Sequence, residues 1–397
     1  MNRLLLWRLM ASATAAFFAC AWGMGEGAAS AASYTAYAPM PSGTVLVTRP
    51  CLTWRVMPTG GCHITHATVT LNDIDIPATY NTDKATMSAE PGKSLTPGTY
   101  QVKCRLYFDD TCTIDQQWSF MIAKDAIELL PEPNAAQHAV LDSVNKQRRS
   151  MGLPALQLDP HLCAAASAHS EYMHRNEEFG HVEDITLIGF TGVAPIDRVA
   201  AYGYDNANYE DVDSGSIAPV EFVRDLFDAP YHRAPFMQPG APDFGTSTVG
   251  DKTTMEFGVT TVTDTVVYPR DGQQNVVLQW EDKETPDPLR LYSDASTIVG
   301  YVITLFHFST INEHVRVTSG TLSTSDGTAV PILLNTPAND SYLSNGVLLI
   351  PKHPLLPHTK YTASVNASTT SGLDISRTWS FTTGDGADTK VNEPSTN

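Results

Sequence analysis

One β-strand pattern occurs twice in this 397-residue chain, once near each end, with a helical stretch between the copies. "LTPGTYQVKC" followed by "QQWSFMI" closes the first copy, and "LLPHTKYTASV" followed by "SRTWSFTT" closes the second. These words alternate apolar and polar residues or are rich in β-formers, and Gly, Pro, Asn and Asp separate them. Such a repeat restricts both ends of the chain to short strands packed as two layers. Residues 42–123 and 268–384 each read as an all-β sandwich of one Ig-like type.

The middle segment has a different period. "HAVLDSVNKQRRSMG", "PHLCAAASAHSEYMHRN" and "PVEFVRDLFDA" read as helices; Gly152 closes the first and Pro160 suits the first turn of the second. The strands "FGTSTVG" and "TTMEFGVTTV" come after them. Helices first and strands later, without βαβ alternation, predict an α+β domain over residues 134–266. The whole chain is then α+β, a mixed domain between two β-sandwiches. "KDAIELLPEPNAAQ", with Pro131 and Pro133, serves as the linker into it.

The N-terminus begins with Arg3 and Arg8, continues with an apolar run to about Trp22, and offers "ASA" at Ala29 to Ala31. That order predicts a signal peptide over residues 1–31 and a mature chain starting near Ala32. Lipid attachment at Cys20 is the alternative, but Phe17 stands three residues before it, a poor match to the bacterial lipoprotein pattern. No later stretch is apolar for long enough to span a bilayer, so a secreted or cell-surface protein is expected, with no transmembrane segment in the mature chain. A formal net charge of -18 without any basic run excludes nucleic acid as a partner. The expected partner is an extracellular ligand or a cell-wall or surface component. Residues 385–397 form a polar tail.

Four of the six cysteines, Cys51, Cys62, Cys104 and Cys112, fall in the first sandwich. Export makes disulfides the expectation, and no C-x-x-C pair suggests a metal. Strand parity puts Cys104 on the face of Tyr100, Val102 and Leu106, and Cys112 with Ile114, Trp118 and Phe120; Cys51 points away from Leu52, Trp54 and Val56. Four cysteines permit three pairings, and Cys51–Cys62 with Cys104–Cys112 is the one predicted. Cys163, among alanines, reads as a small core residue.

Several words of the middle segment resemble, in order, the CAP superfamily of cysteine-rich secretory proteins, antigen 5 and pathogenesis-related 1 proteins in its bacterial, SCP-like form. "VNKQRRSMGLPALQLDPHLCAAASAHSEYM" carries Asn145, Arg148 and Gly152 of the opening pattern, and "GHVE" supplies the histidine after the second helix. "DRVAAYGYDNANYEDV" carries Arg198, Gly203, Tyr204 and Glu210, "FDAPYHRAPFM" resembles the S-P-x-H-R element, and "EFGV" fits the closing strand. The resemblance implies an α-β-α sandwich with a shallow cleft lined by His181, Glu210 and His232.

Two imidazoles and one carboxylate are a ligand set for Zn²⁺ or a similar divalent ion with an open water position. The same groups serve as an acid-base pair without metal. Animal members often add a glutamate just before the second histidine, where this chain has Ala229. The resemblance therefore implies an exported protein whose cleft, as a binding site for a metal ion or small ligand, is presented by the β-sandwiches. The alternative is a hydrolase acting on an extracellular amide or ester, against which stands the lack of any G-x-S-x-G or H-E-x-x-H word. His161, His169 and His174 read as ordinary helix residues, Tyr231 as a packing residue, and Arg233 as the partner of a carboxylate.

Overall fold

The computed structural model describes residues 33–385, apart from 110–111, 216, 260–261, 282–283 and 310–312. The predicted signal peptide, Cys20 included, and the tail from residue 386 lie outside the described residues. The chain divides into two compact units, one holding residues up to Glu132 with Val182–Asn208, the other Pro133–His181 with everything from Tyr209. Among the described residues no helix is long and apolar enough to cross a membrane.

The first unit is built on a hairpin. Gly98–Phe108 and Thr113–Ile127 pair antiparallel from Gly98↔Ile122 to Tyr107↔Thr113. They sit in a five-stranded sheet with Gly43–Val47, Ile64–Leu71 and Ile74–Ile76. A four-stranded sheet orders Ser33–Ala36, Leu52–Thr59, Thr86–Ala89 and Ala78–Asn81. The alternation decides what is buried: Val102, Cys104, Leu106 and Phe108 share one core with Leu52, Trp54 and Val56.

The two predicted disulfides are not formed, because Cys51, Cys62 and Cys104 are thiols, as is Cys163. Cys51 precedes and Cys62 follows the extended strand Leu52–Thr59, which holds them about 25 Å apart at ~3.3 Å per residue. A bridge needs Cα atoms within about 7 Å. Cys104 is in register with Gln116, four residues from Cys112 (116 − 112), or about 13 Å along the ladder. Parity specifies the face a cysteine occupies but not its place along the strand. Burial pushes the thiols of Cys51 and Cys104 up to about 12, and that of Cys163 to about 11. Iodoacetamide at pH 8 should therefore label these three thiols only after denaturant is added, as peptide mapping would show. A native chain labelled at Cys104 within minutes would contradict this burial.

In the second unit, α1 (Ala135–Ser150) starts on a capping box. Asn134 Oδ1 accepts from the Ala136 and Gln137 amides at 2.9 and 3.1 Å, and Gln137 Oε1 accepts from the Asn134 amide at 2.8 Å. Asp159 caps α2 (Pro160–Asn176), whose first helical residue is the proline. Three further helices are α3 (Pro195–Ala201, in the first unit), α4 (Pro219–Asp228) and α5 (Arg233–Met237). The central sheet orders β1 (Gln157–Leu158), β3 (Asp243–Val249), β4 (Lys252–Val259) and β2 (Ala207–Ser214). Helix α2 packs on β3 and β4. Gly245 permits this approach, because a Cβ there would lie 2.2 Å from the Leu162 carbonyl carbon.

The C-terminal sandwich pairs Asp264–Tyr268, Ile303–Phe308, Gly346–Pro351 and Ile332–Asn335 in one sheet. Gln273–Val276, Arg377–Thr383, Lys360–Thr369 and Val315–Thr324 form the other. This sandwich and the helical segment share one core. Phe222, Phe227 and Phe236 are buried in the same cluster as Tyr268, Tyr301 and Phe306, and the Phe227 and Tyr268 rings meet edge-on at 4.9 Å. Residues 134–181 and 209–266 are thus packed as one body with 268–384, although the sequence pattern separates them. Periodicity marks Phe222, Val223, Leu226 and Phe227 as the buried face of α4 without naming what covers them.

Arg233 joins the two parts. It is fully buried, and Nε donates to Phe227 O, Nη1 to Val302 O, and Nη2 to Asp228 O and Tyr301 Oη at 2.8–3.1 Å. The rings of Phe227, Tyr268 and Tyr301 lie 5.0–5.6 Å from its guanidinium carbon. Carbonyls and ring faces hold this charge, where the sequence suggested a carboxylate.

Candidate functional site

The chain leaves α2 through Glu177, which is left-handed (φ 55°), and Gly180 (φ 129°), and this turn delivers His181. The His181 Nδ1–H donates to Glu210 Oε1 at 2.9 Å. The histidine is 39% exposed and the glutamate 1%, so the pair has a wet end and a dry end. His169 stands behind it, fully buried on α2 and stacked near Tyr172. Its Nε2–H donates to Gly180 O at 2.9 Å and lies 3.8 Å from Glu210 Oε1. A residue read as ordinary helix thus supports both members of the pair. Its spacing in α2 carries no hint of that role.

His232 precedes α5, in the turn that follows Pro230. Its ring Nδ1–H donates to Glu284 Oε1 at 2.8 Å, and the same oxygen accepts from the His232 and Tyr231 amides at 3.1 and 2.8 Å. Glu284 is buried and lies 52 residues beyond the histidine, past every word of the sequence pattern. Tyr231 does more than pack. Its hydroxyl donates to the buried Asp340 and accepts from Arg290 Nη1 at 2.8 Å.

Of the predicted trio, the structure therefore joins His181 to Glu210 and joins His232 to a glutamate that the sequence reading missed. Strand β2 runs between these pairings. Successive strand residues point to opposite faces. Glu210 reaches His181, while the next residue, Asp211, has His232 and Glu284 as its strongest charged neighbours. Burial pushes the Asp211 carboxyl up to about 8; Glu284, Glu210 and Asp213 add to this, and His232 opposes it. For His232 burial pulls the other way, but the Glu284 bond and the charges of Asp211, Glu284 and Asp213 overcome it and raise the imidazole to about 9.

Both groups bind more protons folded than unfolded: Asp211 from about 3.8 to 8, His232 from 6.5 to about 9. The stability held by the His232 imidazolium is complete below pH 6.5 and is lost as pH rises through 9. The urea midpoint should accordingly be lower at pH 9 than at pH 6.5, and Asp211→Asn with His232→Gln should flatten that slope. A midpoint that rises across this range would contradict the assignment.

Residues 141–285 match the model of the cysteine-rich secretory protein family, CAP. The match extends past the strand words to include Glu284. No curated protein matches the chain. Among solved structures it is similar to an extracellular SCP-domain protein of Bacillus anthracis, at 13% identity over 57% of this chain and 85% of that one, with a TM-score of 0.30. It is similar to a cysteine-rich secretory protein of Staphylococcus aureus at 10% identity over 57% and 85%, with a TM-score of 0.23. An outer surface protein of Borrelia burgdorferi aligns at 19% identity over 34% of this chain and 98% of its own, with a TM-score of 0.27. Site words in order, an α+β segment of helices on one sheet, and the family match agree: residues 141–285 of this chain belong to the CAP family.

Proposed function

We propose that this chain is an exported protein whose CAP domain binds a divalent metal ion or a small ligand at two histidine–glutamate pairs, His181–Glu210 and His232–Glu284, and that the β-sandwiches present that site at or outside the cell surface. The leader pattern of residues 1–31 supports export. The observation that carries the binding reading is the shared geometry of the two pairs. In each, a buried carboxylate holds Nδ1, so a ligand meets the ring at Nε2. Metal-binding histidines are oriented in this way, by a carboxylate on the far nitrogen. The donor set suits a modestly held ion. Among the described residues no three His, Cys, Asp or Glu side chains converge to hold one outright. His181 and His232 would be the ligands, the ion displacing the Nε2 proton that the raised His232 imidazole carries, with water or a substrate group completing the shell. Such an ion would supply Lewis-acid polarisation of whatever it holds.

Calorimetric titration of the full chain with Zn²⁺ tests this. One site is expected, weakened about tenfold or more by either His181→Ala or His232→Ala. Equal heats in all three proteins would refute it. A hydrolase is the second reading, favoured by Asp211 at about 8 beside His232 at about 9, groups poised to exchange a proton near neutral pH. An ester and amide screen with and without chelator separates the two readings, since only the second predicts turnover that His232→Ala removes.

A further inference from the structure

Tyr231 and His232 are consecutive, and each is held by a carboxylate from beyond residue 280. Glu284 sits between the strand Gln279–Glu281 and the turn Pro288–Leu291, within the C-terminal sandwich segment and between its strands Gln273–Val276 and Ile303–Phe308. One of its oxygens takes three donors, the Tyr231 amide, the His232 amide and the His232 ring, at 2.8, 3.1 and 2.8 Å. The imidazole is thereby tied to its own backbone through a single buried atom, which fixes both the turn and the ring plane. Asp340 makes the neighbouring anchor. It accepts from the Tyr231 hydroxyl, from Arg290 and, at 2.9 Å, from Asn335 Nδ2. Arg290 stacks over the Tyr231 and Tyr342 rings at 5.8 and 4.6 Å.

The His232 ring is oriented from outside the short word "APYHRAPFM", by a connection between strands of the C-terminal sandwich. We infer that Glu284 is a positioning residue for ligand binding at His232, so that the C-terminal β-sandwich completes the site rather than only displaying it. This rests on the reading of His232 as a ligand-binding residue. The expected ligand is one that meets the imidazole at Nε2, a divalent cation first. A charged acceptor on Nδ1 raises the basicity of Nε2 and removes the freedom of the ring before binding.

Three full-length proteins test the inference: the unaltered chain, Glu284→Ala and Glu284→Gln. Proton NMR of the unaltered chain should show a downfield, slowly exchanging Nδ1 proton from His232. Glu284→Ala should lose that signal and weaken Zn²⁺ binding about ten- to hundredfold, while Glu284→Gln, which keeps an acceptor oxygen, should recover part of both. A folded Glu284→Ala protein with the same proton signal and the same affinity overturns the inference. Where Glu284→Ala does not fold, Glu284→Gln decides: zinc affinity and signal both identical to the unaltered chain overturn it, and a weakened signal with lower affinity supports it. Where the unaltered chain binds no Zn²⁺, the site reading fails, and the proton signal alone decides for Glu284: its loss in Glu284→Ala supports positioning, and its persistence overturns it.

Discussion

A chain ended at Val266 is expected to be recovered unfolded or aggregated, even though it retains all the motif words of the helical segment. Helices α4 and α5 bury Phe222, Val223, Leu226, Phe227 and Phe236 in the cluster that holds Tyr268, Val299, Tyr301 and Ile303 of the C-terminal sandwich. Removing residues 267–397 returns part of each of these side chains to water, at about 1.5–3 kcal/mol for a full exposure. It also removes Val302 O, the Tyr301 hydroxyl and Thr304 Oγ1 from Arg233, leaving a guanidinium in an apolar face without three of its acceptors. The sum is of the order of a whole domain's stability, about 5–15 kcal/mol. Circular dichroism and amide proton dispersion of the truncated chain would check it. A cooperative thermal transition in that chain would mean the helical segment folds alone.

Arg233→Ala is expected to cost about 4 kcal/mol or more, measured as a lowered urea midpoint at constant slope. The substitution strands the carbonyls of Phe227, Asp228 and Val302 and leaves a void between three aromatic rings. Arg233→Lys should recover little of this. A single ammonium on a flexible stem cannot reach backbone acceptors on α4 and on the sandwich together with a tyrosine hydroxyl, as the planar fork does. A loss below about 1 kcal/mol for Arg233→Ala would place the residue among ordinary surface substitutions and contradict its role as the joint.

Much of the fold was legible because it was periodic. The 16 residues of α1, the 17 of α2 and the apolar face of α4 stand out at helical spacing, and the strands Gly98–Phe108 and Arg377–Thr383 stand out by alternation. Helices of seven and five residues, α3 and α5, are too short to show a period. The packing of the second sandwich against α4 was not legible either, since a buried face does not name its partner. Within the site, the motif order placed His181, Glu210 and His232, but their supports come from elsewhere in the chain. His169 acts from an earlier turn of its helix, and Glu284 reaches back across 52 residues. Contacts of that range depend on tertiary packing, which neither periodicity nor spacing encodes. The cysteines fail for a related reason: an alternating strand determines the face, while pairing depends on displacement along it, and Cys51 and Cys62 stand at opposite ends of Leu52–Thr59.

The most direct test of the central claim, that the two histidine–glutamate pairs are the binding site of this CAP domain, is a Zn²⁺ titration of the full chain followed through the ring signals of its 12 histidines. His181 and His232 are expected to shift or broaden together at the stoichiometric point, with buried His169 following weakly and the remaining rings staying in place. Neither His181 nor His232 moving while the ion binds elsewhere would contradict that claim, as would both moving unchanged when Glu210 and Glu284 are replaced by alanine in a folded chain.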